Sequence, residues 1–208
     1  MTKKILYGAD YSVYVRIARM ALEEKGVDYK LVPLDIFAAE GIPAWYLEHH
    51  PFGRIPAFEH DGFRLFETNA IARYVDEAFD GPALQPADAP DRARMGQIIG
   101  MLDAYGYRAM VWDVAVERLE KAEPDETLIA ASLSQAETVL KALISLKAKG
   151  PWLLGDQLTL ADLHAAPIIA YFVKVAEGRD LLARFADMRD WYARVAARPS
   201  FARTEKVS

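Results

Sequence analysis

The stretch from Pro51 to Val75 constrains the fold of this chain more than any other segment. It reads PFGRIPAFEHDGFRLFETNAIARYV, a succession of turn, strand, turn, strand and helix signals. Asp61-Gly62 is a strong two-residue hairpin signal between candidate strands at 57–60 and 63–66. Pro56 stands where a strand begins, a position at which no ladder donor is lost. The segment therefore predicts a β-hairpin that leads directly into a helix.

Two features of the same stretch suit an extended peptide ligand with a free carboxylate. If the Ile55–Pro56 bond is cis, Ile55 turns its own N–H and C=O outward, where a peptide can pair with them. Glu67 and Thr68 open the helix, where free N–H groups and the positive end of the dipole attract carboxylates. The plainer alternatives are an ordinary edge-strand turn at Pro56 and a simple cap at Glu67-Thr68.

Together with Leu6-Tyr7-Gly8 and Ser12, this stretch resembles the glutathione-binding domain of a cytosolic glutathione S-transferase. The serine type is most similar, particularly the phi class and its bacterial relatives. The resemblance is strong over residues 3–79 and weaker over the helical remainder. It implies the α/β thioredoxin-like plus all-α architecture, with a glutathione-binding domain at 1–79, a linker at 80–89 and an all-helical domain at 90–208.

The order of the predicted elements agrees with that architecture. Strand, helix and strand, followed by hairpin and helix, are typical of a small sheet with helices on both faces. Pro82, Pro86 and Pro90 then follow at a spacing of four and predict a linker, because proline cannot continue a helix. The remaining patterns predict helices at 12–25, 67–79, 89–119, 124–149, 159–176 and 187–197.

Composition narrows the chemistry further. A net charge of −5 argues against a nucleic-acid partner, which normally requires a basic face. The start MTKK lacks an apolar signal region, and the longest uncharged apolar run, 165–173, is too short to span a membrane. We therefore expect a cytoplasmic protein. The chain has no cysteine, which excludes a protein thiol nucleophile, so the reacting thiol must come from a cosubstrate.

Ser12 is the predicted catalytic residue. The reactive form of glutathione is its thiolate. A hydroxyl at the start of a helix can donate to the sulfur while the dipole adds positive potential. Ser12 would thus be a hydrogen-bond donor, not a nucleophile. The alternative is that Ser12 only caps its helix, and we expect the two roles to require different rotamers. Tyr7 is the competing hydroxyl, since other transferase classes use a tyrosine at the end of the first strand.

The resemblance also implies roles in holding glutathione. Ile55 would pair with the cysteinyl amide, fixed by a cis Pro56, while Glu67 and Thr68 would bind the γ-glutamyl group. Phi-class proteins typically hold the glycyl carboxylate with a His-Lys pair, but residues 38–43 contain no base here. Arg54 stands where a neutral amide is usual, and we predict that it replaces the missing pair.

The residues predicted to line the electrophile pocket are scattered along the chain: Tyr11, Phe37, Tyr107 and Met110. His49-His50 is predicted to be a surface pair rather than a metal site, because adjacent side chains point apart and no third ligand is evident. No metal is expected. The family further implies a homodimer.

The predicted function is a detoxifying glutathione S-transferase that joins the glutathione thiolate to a small hydrophobic electrophile. A second class remains open, a non-catalytic transferase-like module that binds glutathione or a partner protein. A glutathione-dependent peroxidase or isomerase that uses the same site is the other alternative. Ser12 favours catalysis among these.

Overall fold

A computed structural model describes residues 3–205 of the chain. These residues form two compact units. The first comprises the described residues up to Ala83 together with the segment that begins at Pro199, and the second is Leu84–Arg198. The C-terminal segment is thus part of the N-terminal unit.

The first unit is built on a four-stranded sheet, and it has the predicted thioredoxin-like topology. The strand order is β2-β1-β3-β4, with β1 parallel to β2 and antiparallel to β3. The strands are β1 Lys4–Tyr7, β2 Lys30–Val32, β3 Ala57–His60 and β4 Phe63–Phe66. The helices are α1 Val13–Glu24 and α2 Thr68–Ala78, with a 3₁₀ helix at Ala44–Glu48.

Helix α1 packs close to the end of β1 because the residue after β1, Gly8, has no side chain to keep the helix away. A Cβ at Gly8 would collide with Cγ2 of Val15, in the first turn of α1. The buried side of the helix includes Ile17 and Met20. Gly8 therefore allows the first turn of α1 to lie directly against the sheet.

The short helix α9, Pro199–Arg203, packs on α1. The Arg16 guanidinium lies 4.0 Å from the centre of the Phe201 ring, and its Nη2 donates to Phe201 O at 3.0 Å. Arg19 donates to Arg203 O and Thr204 O. Two arginines of α1 thus satisfy carbonyls at the end of α9, which a five-residue helix cannot satisfy itself.

The second unit is all-helical, as predicted. A long helical segment begins with α3 Ala89–Met101, continues through π-helical turns at Leu102–Gly106 and Arg108–Val116, and ends with α4 Glu117–Glu120. The other helices are α5 Glu126–Leu146, α6 Leu160–Phe172, α7 Ala176–Ala183 and α8 Ala186–Ala196.

Asp162 organises the start of α6. Its carboxylate accepts hydrogen bonds from Thr159 N and Thr159 Oγ1, from Leu153 N at 2.8 Å and from Trp191 Nε1 at 2.8 Å. All four partners converge on one buried side chain. Thr159 and Asp162 form a capping box, and the role of Asp162 is therefore structural.

Helix α5 is the one helix among residues 3–205 whose length and hydropathy would suit a membrane span. The core helix of a soluble domain has the same length and hydropathy. Residues at one-face spacing, such as Val139 and Leu143, are buried. Glu137 lies within the helix and pairs with Lys141 at 2.8 Å and Arg184 at 2.9 Å.

The predicted helix 89–119 begins at Ala89 as expected, with Pro90 in the first turn of α3, where its missing N–H costs nothing, and with Asp88 as the cap. Two other details differ from the sequence predictions. The predicted helix 159–176 ends at Phe172, and a separate helix, α7, follows. Helix α9 was not predicted, because a five-residue helix has little intrinsic signal.

Candidate active site

The predicted glutathione residues of the first unit lie at one end of its sheet. Tyr7, the last residue of β1, is opposite Ala57, which begins β3, and Ala57 is opposite Phe66, which ends β4. Val32 at the end of β2 is aligned with Tyr7 from the other side. The segments that continue from these four positions therefore emerge together. They carry Ser12, the loop 33–41, Ile55–Pro56 and Glu67–Thr68.

Ser12 caps α1, and its hydroxyl keeps a proton to donate. Its Oγ accepts a hydrogen bond from Val15 N at 3.3 Å, and its backbone is extended at φ −76° and ψ 125°. A hydroxyl has one donor and two acceptor sites, so the capping bond occupies only an acceptor site. The expectation that the two roles require different rotamers is thus unnecessary.

Tyr7 lies in an aromatic cluster beneath the site. Its side chain is buried at 8% exposure, with its ring centre 4.7 Å from that of His49 and 5.8 Å from that of Trp45. Burial raises the pKa of the Tyr7 hydroxyl, and the negative charge of Glu59 raises it further. These surroundings suit a core residue and disfavour a thiol activator.

The segment before β3 presents an unpaired backbone. The Ile55–Pro56 bond is cis, as predicted. Among residues 3–205, neither Ile55 N–H nor its C=O has a hydrogen-bond partner. Gly53 has a left-handed φ of +59°, and a Cβ there would press on Ile42. Tyr46 Oη donates to Arg54 O at 2.7 Å, which anchors the segment.

Glu67 has the most unusual backbone in the site. Its φ of +70° with ψ of 113° is a conformation that a non-glycine residue rarely adopts, and it lies outside the hairpin turn. The side chain is exposed and makes no capping bond. The first helical bond of α2 runs from Ile71 N to Glu67 O, so the N–H groups of residues 68–70 lie ahead of it.

Arg54 and His50 complete this part of the site. Within the described residues, the exposed Arg54 guanidinium makes no ion pair or hydrogen bond.

His49 and His50 are buried, which contradicts the expected surface pair. His49 Nε2 lies 3.3 Å from Glu59, and His50 Nδ1 has no partner among residues 3–205. Burial lowers the His50 pKa, Glu67 raises it, and Arg54 lowers it.

Tyr11 is paired with Asp35, a residue that the sequence did not single out. Tyr11 Oη donates to Asp35 Oδ1 at 2.6 Å, and Phe37 N donates to the same oxygen at 2.9 Å. The rings of Tyr11 and Phe37 are 6.0 Å apart. The hydrogen bond from Tyr11 lowers the Asp35 pKa, while burial and this bond raise the pKa of Tyr11 strongly.

The two pocket candidates of the helical unit differ in exposure. Met110 has no exposed surface, so the structure does not support its predicted role as a pocket wall, because a core side chain cannot meet a ligand. Tyr107 is half-buried between the two π-helical stretches. Among residues 3–205, no group of three or more His, Asp or Glu side chains could hold a metal ion.

Comparison with known proteins agrees with this geometry. Residues 6–83 match the family model of the glutathione S-transferase N-terminal domain, and residues 126–194 match that of the C-terminal domain. Glutathione S-transferase F13 of Arabidopsis thaliana is 28% identical over 202 residues, which are 94% of this chain and 92% of that protein.

Solved structures give the same result. Glutathione S-transferase III in its apo form is 30% identical, with a TM-score of 0.84 over 97% of this chain and 95% of that one. Glutathione transferase F7 from Populus trichocarpa is 29% identical, with a TM-score of 0.85 over 97% of both chains. The chain belongs to the glutathione S-transferase family of transferases, and its F-type relatives are those of the phi class.

Proposed function

We propose that this protein conjugates the thiolate of glutathione to small hydrophobic electrophiles, with Ser12 as the catalytic residue. The observation that carries the proposal is that polar groups with hydrogen-bonding capacity left unfilled among residues 3–205 meet at one end of the sheet. These are the Ser12 O–H, the Ile55 backbone, the Glu67 carboxylate and the first N–H groups of α2.

Each unused group matches one part of the tripeptide. The Ile55 N–H and C=O suit the cysteinyl amide, as in the addition of a β-strand. Glu67 suits the γ-glutamyl ammonium, and the buried Thr68 with the N–H groups of the α2 start suits the adjacent carboxylate. Arg54 suits the glycyl carboxylate at the other end.

Thiol activation follows from the position of Ser12. A free thiol has a pKa of about 8.5, and each unit of depression needs about 1.4 kcal/mol of preferential stabilisation of the anion. The Ser12 O–H donates to the sulfur, and the cap bond from Val15 N–H polarises the hydroxyl. The thiolate then attacks an electrophilic carbon. A C–S bond forms, and with an aryl halide the halide leaves with the bonding electron pair.

The test combines binding and turnover. The protein should be retained on immobilised glutathione and should conjugate 1-chloro-2,4-dinitrobenzene, with Ser12→Ala retained but slow. Retention without turnover would favour a non-catalytic module instead. We also propose that the protein is cytoplasmic and a homodimer, and sedimentation of the purified protein tests the dimer.

A further inference from the structure

We propose that Asp35 is a positioning residue that fixes Tyr11 and Phe37 as one aromatic wall for planar, aromatic electrophiles. This inference rests on the proposed function, because it concerns the second substrate of that reaction. Asp35 itself need not touch either substrate.

One oxygen of Asp35 joins two segments of the chain. Asp35 Oδ1 accepts from Tyr11 Oη at 2.6 Å and from Phe37 N at 2.9 Å. The second bond is an Asx turn, which sets the backbone at Phe37. The first bond is to a charged acceptor and is short, which is typical of the stronger class of hydrogen bond. Asp35 thus fixes a side chain from before α1 and a backbone from after β2.

The pairing with Asp35 leaves the ring of Tyr11, but not its hydroxyl proton, available to a ligand. The single Tyr11 proton is committed to Asp35, so the hydroxyl cannot also donate to a sulfur. The ring remains, next in sequence to Ser12, and its centre is 6.0 Å from that of Phe37. Phe37 is 62% exposed, which leaves most of its ring accessible.

The loop that carries Phe37 is apolar. Residues 36–39 are Ile, Phe, Ala and Ala, so the loop offers apolar surface but no base. Aromatic rings prefer offset or tilted contacts with other rings, and such pairs add binding free energy beyond the area buried. A planar aromatic electrophile therefore gains binding free energy from contact with the Tyr11 and Phe37 rings, whereas a small non-aromatic electrophile gains little.

The experiment measures the aromatic gain directly, without relying on turnover. The Kd of S-(2,4-dinitrophenyl)glutathione is divided by that of S-methylglutathione, for wild type, Asp35→Ala, Tyr11→Phe and the double variant. A low ratio means a preference for the aromatic ligand. We expect each single variant to raise this ratio about three- to tenfold, which is a loss of that aromatic preference. The double variant should lose no more than the larger single one, because both changes break the same bond.

Two further variants separate positioning from a general structural effect. Asp35→Asn retains an oxygen that can accept both bonds and should keep most of the preference. Asp28→Ala removes an exposed carboxylate that precedes β2, at the opposite end of the sheet, and should change nothing. The KM for 1-chloro-2,4-dinitrobenzene should rise in Asp35→Ala, with the KM for iodoacetamide unchanged.

The proposal is overturned if the losses of the two single variants multiply in the double variant, or if both thioethers weaken equally. It is also overturned if Asp35→Asn behaves like Asp35→Ala. A wild type that prefers the aryl thioether but fails to turn over either electrophile would contradict the proposed catalytic function while supporting the aromatic wall.

Discussion

The side-chain oxygen of Ser12 accepts a hydrogen bond from the backbone N–H of Val15 at 3.3 Å. This bond makes Ser12 the cap of α1 and at the same time leaves its proton free. Capping and thiol activation are therefore compatible in one rotamer. Variants that separate the two properties can show which of them matters for catalysis.

Glu67 has a strained backbone and is also proposed to bind glutathione. A non-glycine residue at φ +70° and ψ 113° costs about 1–3 kcal/mol, and glycine relieves most of this cost. We expect Glu67→Gly to stabilise the protein by about 1 kcal/mol, or a Tm rise of about 2–4 °C, while it weakens glutathione about tenfold or more. Calorimetry measures both quantities, and Glu67→Gln is the control that keeps the strain. Unaltered glutathione affinity in Glu67→Gly would reject the γ-glutamyl assignment.

Arg54 is predicted to hold the glycyl carboxylate. A charge-assisted hydrogen bond contributes about 1.5–3 kcal/mol, and the exposure of Arg54 favours the lower end, near tenfold in affinity. The decisive ligand is glutathione amidated at glycine. Wild type should lose affinity for this ligand, whereas Arg54→Gln should bind both forms almost equally. The same discrimination in both proteins would mean that another base holds the carboxylate.

Helix α9 should stabilise the unit that contains the proposed glutathione site. Phe201 is buried under the Arg16 guanidinium, at 4.0 Å. Truncation of a buried phenylalanine to alanine typically costs about 3–5 kcal/mol. We expect Phe201→Ala to lower the denaturant midpoint strongly. Phe201→Leu, which keeps most of the apolar volume but loses the contact between cation and ring, should cost much less. Equal midpoints for wild type and Phe201→Ala would show that α9 adds no stability.

His50 predicts a pH dependence of stability. Burial depresses its folded-state pKa below the unfolded value of about 6.5, so the unfolded chain binds the proton more readily. The contribution is fully present above pH ~6.5 and is lost as the pH falls through the folded-state pKa. Unfolding free energies of wild type and His50→Gln, measured from pH 7.5 downward, should therefore converge or cross. Parallel curves over this range would exclude the effect.

The sequence predicted best where the signal is local. Asp61-Gly62 set the hairpin and its strand ends, because the turn type demands those residues. The pairing of Tyr11 with Asp35 could not be predicted, since it depends on the parallel alignment of β1 with β2. Helix α9 was missed because tertiary contacts from Arg16 stabilise it.

The π-helical course of residues 102–116 was also beyond sequence analysis. Its apolar pattern resembles that of an α-helix, and the shift to wider hydrogen bonds has no residue signature here. The burial of Met110 depends on how its helix packs in the second unit, which the apolar pattern alone does not determine.

The central claim is that the Ser12 hydroxyl lowers the pKa of bound glutathione, and a thiolate titration tests it most directly. The ultraviolet absorbance of the bound thiolate is followed against pH in wild type, Ser12→Ala and Ser12→Gly. Glycine replaces serine as a helix cap at a cost of only a few tenths of a kcal/mol, so Ser12→Gly removes the donor and keeps the helix start. We predict that both variants raise the midpoint by about one to two pH units while most glutathione affinity remains. A midpoint unchanged in Ser12→Gly would contradict the claim and leave Ser12 as a cap alone.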